Sequence, residues 1–445
     1  MPIYFEIQSA FKINKMKEQA SEPWYIRFAL YVKAAIIGFS MILLLIPVNM
    51  VMELFRERQS RQQEAIEEVS SKWANEQIVA GPILAIPKLD RSDYFYILPS
   101  QLDIENQLDA ETRHRGIFPV SLFRNNITLK ASFPGQLPLP TLNQDLDWAH
   151  AKLIVGISDL RGVDEVSQAS LDGVALEMHP GAPGLKVVNS CLSADINLEG
   201  KQSSAAGMLS LVKIQLRGSG EMNFAPVGNQ TNVKMQSSWE HPAFNGAFLP
   251  TQHSLNNGFT ASWNIMSINR VFPQSWMGNE YSMLTSDFGV ELRSPITNYQ
   301  MATRSVKYAV LVIALTFLVF FCFEFTRKAT FHPLHYILVG FAECVFYSLL
   351  IAISEHLAFS LAYGIAAVMT VGLIAGFTWS ITRQLGPALF IGIMMAGLYG
   401  FLYWVIQSED NALLMGSVLL FIVIAIVMFL TRNLRWQNFA IARNS

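Results

Sequence analysis

Few residues in this 445-residue chain are of types and spacings that could do chemistry. Glu343 stands inside an apolar run, about nine residues from its start and so near mid-bilayer at about 1.5 Å per residue. An ionised carboxylate at that depth is costly and usually faces a partner or a water-filled cavity, which makes Glu343 a candidate proton or cation relay. The plainer alternative is a protonated carboxyl hydrogen-bonded inside a helix bundle, with Tyr347 one turn on as the expected partner. Ser354-Glu355-His356 closes the same run, and Glu409-Asp410 lies after a later one. On one side of a membrane, Glu355, His356, Glu409 and Asp410 would make an acidic cluster with one imidazole, suited to binding a divalent cation or sensing pH. The plainer reading, which we prefer, is a solvated loop whose polar residues terminate two helices.

Other motifs are weaker. His332-Pro333-Leu334-His335 has two imidazoles, an incomplete metal site. His114, His150, His179, His241 and His253 are scattered without ligand spacing. No Gly-x-Ser-x-Gly elbow, Walker A loop, His-Glu-x-x-His pair or Cys-x-x-Cys is present. We therefore expect no catalytic residue, metal or cofactor, and a role that is not enzymatic. With 32 Lys and Arg against 34 Asp and Glu, and no basic stripe, nothing marks a nucleic-acid binder.

What positions these residues is a membrane layout. Apolar segments predict spans at roughly 29–51, 305–324, 334–353, 357–379, 386–406 and 411–430, each near the about 20 residues that cross a bilayer. One span is followed, far downstream, by five. The expected organisation is a tail (1–28), a first span (29–51), a large polar domain (52–303), a five-helix bundle (304–430) and a second tail (431–445). Lys12, Lys15, Lys17, Arg27, Arg327, Lys328, Arg383, Arg432, Arg435 and Arg443 fall on the side of the termini, whereas 354–356 and 407–411 carry no Lys or Arg. The asymmetry places both termini in the cytoplasm and the large domain outside it. Arg56, Arg58 and Arg61 argue the other way; Glu53 and Glu57 are interleaved with them, and long basic side chains snorkel. The first apolar run, around Lys33, lacks a small-x-small cleavage site and reads as an uncleaved anchor. Gly372-x-x-x-Gly376 and Gly392-x-x-x-Ala396 read as packing signals between spans.

The polar domain opens with a helix over about 53–75 that puts Ile66, Val69 and Trp73 on one face. From Gly81 onward, short β-branched and aromatic runs alternate with turn residues. Strands are expected at 83–86, 94–98, 127–133, 153–157, 174–178, 210–216, 232–239, 259–265 and 288–292. An antiparallel β-sandwich or open barrel is the predicted fold of this domain. Trp148, Trp239, Trp263 and Trp276 are assigned to its core rather than to a groove. Cys191 is its lone cysteine, so it can hold no internal disulfide.

Particular stretches carry a resemblance. They include Gly81-Pro82-Ile83-Leu84-Ala85-Ile86-Pro87, Gly156-Ile157-Ser158-Asp159-Leu160-Arg161-Gly162, Trp239-Glu240-His241-Pro242, Ser354-Glu355-His356 and Phe429-Leu430-Thr431-Arg432-Asn433. In this order, on the one-plus-five layout, the chain resembles the CreD family of bacterial inner-membrane proteins along nearly its full length. The resemblance implies an inner-membrane protein of cell-envelope integrity and stress response, part of the output of the CreBC two-component system and associated with colicin tolerance. It brings no catalytic residues. The expected role is binding of an envelope lipid, glycan or membrane protein through the β-domain, beside contact with the lipid bilayer; the oligomeric state is left open. A transporter or lipid handler built on Glu343, and an enzyme acting on envelope lipid or peptidoglycan, are the alternatives.

Overall fold

The computed structural model describes residues 24–137, 146–181, 190–201, 207–292, 298–327, 331–408 and 412–431. By internal contacts the chain divides into a mainly β unit, Ser60–Ile296, and a unit of Met1–Gln59 with Thr297–Ser445 whose described part is helical. Both tails lie largely outside the described residues.

The β unit has two open sheets. In the first, β1 (Gln77–Pro87) is central, flanked by β11 (Glu221–Phe224) and β5 (Ala151–Ile157). Outward from these lie β17 (Phe288–Leu292) and β13 (Pro242–Gly246) on one side, and β9 (Cys191–Ile196) and β8 (His179–Pro180) on the other. Strand β2 (Tyr94–Ile97) also pairs with β1, and β16 (Ser275–Met277) pairs with β2. The second sheet has the order β14 (Gln252–Ser254), β15 (Phe259–Met266), β12 (Gln230–Ser237), β3 (Gln101–Arg115), β4 (Phe118–Phe133), β10 (Met208–Ser219), β6 (Val163–Leu171) and β7 (Val174–Ala175). Pairing is mostly antiparallel, but β1 with β11 and β3 with β12 are parallel, which the sequence reading did not anticipate. Neither strand order closes on itself, so the described strands form no closed barrel.

Alternation along the strands explains the core. In β4, Ile127, Leu129, Ala131 and Phe133 are buried while Asn126 and Lys130 are exposed, and β12 and β15 repeat the pattern. One contiguous cluster draws on both sheets, with Leu84 and Ile154 from the first and Leu129, Val212 and Val233 from the second. Trp263 and Trp276 are buried in it, and Trp148 and Trp239 pack against it half-buried. The strand expected at 174–178 is only the two-residue β7.

Helix α1 (Trp24–Trp73) runs unbroken through the first apolar segment and into the β unit. Its end is socketed. Fully buried Gln77 donates from Nε2 to the carbonyls of Asp159 and Arg217, and its Oε1 accepts from the Ser158 hydroxyl. Asp159 accepts from the Asn75 amide and from Arg161, whose guanidinium also reaches the Ser71 carbonyl at 2.7 Å. A Cβ on Gly162 would lie 2.2 Å from the Arg217 oxygen and 2.4 Å from Gln77 Nε2, so only glycine fits there. Three guanidinium groups, Arg113, Arg124 and Arg217, stand 4.6, 5.6 and 4.9 Å from the Trp73 ring centre.

In the helical unit, α2 (Asn298–Lys307) and α3 (Ala309–Arg327) are followed by α4 (Pro333–Ser354), α5 (Phe359–Thr382), α6 (Leu385–Gln407) and α7 (Ala412–Thr431). Four described helices, the first within Val32–Trp73 and then α4, α5 and α6, are long and apolar enough to cross a membrane. A fifth counts if Met301–Lys307 and Ala309–Glu324, bent by 48°, make one span. The bend falls where the Tyr308 amide bonds to the Ser305 carbonyl, one residue tighter than an α-turn.

The Arg161 guanidinium holds the Asp159 carboxyl at about 2, below its ordinary 3.8. A carboxyl depressed on folding contributes stability that is complete above its unfolded value and lost as pH falls through its folded one. Asp159→Asn should therefore lower the unfolding temperature of the protein at neutral pH. The gap from the native chain should close as pH is taken from about 3.8 towards about 2; thermal scans across that window check it.

Candidate functional site

Glu343 is fully buried in α4. Its Oε1 accepts from the Thr316 hydroxyl of α3, and that hydroxyl lies 3.3 Å from Met395 Sδ of α6. Tyr347, the partner expected from the sequence, does not fill that place. Its hydroxyl, like that of Tyr399 and like Glu343 Oε2, has no partner among the described residues. Ring contacts of Phe346 with Tyr347, Tyr399 and Tyr363 at 4.9, 4.6 and 5.4 Å hold these tyrosines around one centre. The result is a polar island between α3, α4 and α6, with hydrogen-bonding capacity left over.

Of the expected acidic cluster, only Glu355 and His356 fall among the described residues. Glu355, at the end of α4, lies 3.5 Å from Arg58 of α1, so one of the arginines that complicated the charge count is paired. His356 is exposed, and Glu409 and Asp410 lie outside the described residues. No group of three or more metal-ligating side chains occurs among the described residues. His332 caps α4, its Nδ1 accepting from the Leu334 amide, and the His335 ring packs edge-on against Phe377.

A second polar centre was missed in the sequence. Glu324 of α3 pairs with Lys33 of α1, accepts from the Phe331 amide, and takes the Tyr336 hydroxyl at 3.1 Å; Lys33 also donates to the Phe331 carbonyl. The signal was there: one lysine in the first apolar run, and one glutamate at the end of the second. Between the two ion pairs, Gly340 receives Leu44, since a Cβ there would lie 2.1 Å from Leu44 Cδ1. Contacts at 33, 44 and 58 thus meet 331, 340 and 355 in the same order, so α1 and α4 run parallel. Gly372 and Gly376 have open space around them, so that motif does not pack helices within the described chain.

A groove of about 640 Å³ lies on the outward face of the second sheet, with Lys234 and Glu105 among its lining. Ser254, Thr260, Gln236, Gln107 and Asn126 line it, and the strand register continues their row beyond the groove to Gln215. Ser254, Thr260, Gln236, Gln107, Asn126 and Gln215 stand side by side across β14, β15, β12, β3, β4 and β10. All six are exposed, and no hydrogen bond or ion pair joins their side chains to the described protein. The adjoining row carries charge: Lys234 faces Glu105, and Lys130 bonds to Glu105 at 2.8 Å and holds that carboxyl below its ordinary range. This row exists only once six strands are in register, so no local sequence pattern marks it.

Glu324→Ala should leave a half-buried Lys33 ammonium without its carboxylate, at a cost on the order of 2 kcal/mol. Replacing both partners, Lys33→Met with Glu324→Leu, should recover more than half of that loss. The unfolding temperature of detergent-solubilised protein measures both; a double variant no better than Glu324→Ala would deny the pairing its energetic role.

The inner membrane protein CreD family model matches residues 29–437. Inner membrane protein CreD of Escherichia coli (strain K12) is 28% identical over 425 residues, covering 91% of this chain and 93% of its own. Among solved structures, native yeast LTA4 hydrolase gives a TM-score of 0.20 at 9% identity, over 52% of this chain and 36% of that one, too low to inform the fold. Apolar helices able to cross a membrane, a large β unit inserted between them and a family match over most of the length agree: the chain belongs to the CreD family of inner membrane proteins.

Proposed function

We propose that this inner-membrane protein supports envelope integrity and the response to envelope stress by binding an envelope component, or a partner protein, through a periplasmic β-domain. Binding, not catalysis, is the proposed activity. The observation that carries it is the exposed row of unspent amides and hydroxyls on the second sheet, because polar side chains free of internal bonds can be given wholly to a ligand.

Six spans with both termini cytoplasmic are part of the same reading. Four apolar helices, the bent pair taken as one span and α7 give six. From Lys33 to Arg58 is 25 residues of helix, about 37 Å, between the ~30 Å of the hydrocarbon core and the ~40–45 Å that includes the headgroups. The two ion pairs would then sit one at each face, with Glu355 and Arg58 outside. Two open sheets over one core support a β-sandwich for the outer domain.

Two measurements test the proposal. Ile268 is 88% exposed in the β unit; Ile268→Cys should react with a membrane-impermeant maleimide added outside intact spheroplasts, and reaction only after lysis would reverse the orientation. Full-length protein in lipid discs should retain material from a solubilised envelope fraction, and Gln107→Ala or Gln236→Ala should each weaken retention about tenfold, one hydrogen bond's worth. Equal retention by the variants would remove the groove from the function.

A further inference from the structure

The groove's chemistry narrows its ligand. Carboxamides donate and accept at once, and so do hydroxyls. Six such groups in a line, without a charge among them, suit a ligand that also presents donors and acceptors together and carries no net charge. Their direction matters as much as their kind. The row runs across the strands, one side chain per strand at about 4.8 Å, for about 24 Å in all. A peptide adding to a sheet runs along an edge strand and pairs through its backbone; a ligand on this row lies across six strands and meets side chains alone. The apolar side chains of the lining, Met235 and Ala261, are buried and unavailable to peptide side chains, and its one ring, His253, is braced by Phe244 at 5.5 Å beside β14. A polymer of hydroxyl-rich units, each advancing by close to one strand spacing, fits this arrangement.

We infer that the row from Ser254 to Gln215 is a binding site for a linear, uncharged glycan laid across the strands, with Gln236 and Gln107 at its centre. The inference rests on the reading that the β unit binds an envelope component, and names that component's class. Lys234 and Glu105 also line the groove, in the adjoining row with Lys130 bonded to Glu105, and leave the six-residue row itself without charge.

Full-length protein in lipid discs should be titrated with N-acetylglucosamine and its linear tetramer and hexamer, with a neutral hexapeptide and with solubilised envelope fraction. The hexamer should bind saturably and more tightly than the tetramer, and the monomer should show no binding. Gln236→Ala and Gln107→Ala should each weaken the hexamer about tenfold. Both side chains are exposed and unbonded, so an unchanged unfolding temperature should accompany the loss. Retention of envelope material that the same variants abolish, without binding of any oligosaccharide, would overturn the glycan and leave the envelope-binding reading standing. Preference for the hexapeptide would overturn it in favour of a peptide ligand. Binding of neither oligosaccharide nor envelope material would overturn both.

Discussion

The fold turns on what happens at Gln77. A helix leaves the apolar segment with no partner for its last carbonyls and must become the middle strand of a sheet within a few residues. The socket of Asp159, Arg161 and Gly162 supplies those partners. It fixes where β1 begins, and β1 sets the register of β5, β2 and β11. Because Gln77 Nε2 also binds the Arg217 carbonyl, the same residue ties the second sheet to the first. The stretch from Gly156 to Gly162, which carries part of the family resemblance, is thus accounted for by geometry: a small residue where no Cβ fits, and an acid and a base locked around a helix end.

In the helical unit the governing cost is charge in an apolar medium. Lys33 and Glu324 are tolerable because each satisfies the other, and the Phe331 backbone and the Tyr336 hydroxyl complete their valences. Glu343 differs: its described donor is a threonine, and the hydroxyls of Tyr347 and Tyr399 have no partner among the described residues, while that of Tyr363 donates to the Tyr399 carbonyl. The two glutamates occupy adjoining helices in opposite circumstances, one neutralised by an ion pair and the other surrounded by uncharged groups.

Much of this was legible in the sequence, and the failures have physical causes. Long apolar runs announced the helices able to cross a membrane, and the spacing of Ile66, Val69 and Trp73 announced the helix beyond the first. Strands such as β4 and β12 declared themselves by alternation. Strand β3 did not, because its outward residues, Asp103, Glu105, Gln107 and Asp109, belong to types poor in β-propensity, and Asn106 interrupts its apolar face. Parallel pairing was hidden because local pattern does not record which distant strands meet. Glu343 was singled out correctly as buried, but its partner lay 27 residues away on another helix, whereas a helical repeat points only to neighbours on its own. The polar row was harder still, being one residue from each of six strands.

In the binding role proposed for it, that row would have an environmental consequence. Attraction between opposite charges weakens as salt rises, whereas hydrogen bonds between neutral groups owe little to ionic strength. A surface gripping through amides and hydroxyls keeps its affinity when the surrounding solution is diluted or concentrated. A rise in ionic strength would leave such a hold intact while loosening contacts that depend on lysines and carboxylates, and a fall would tighten only those charged contacts.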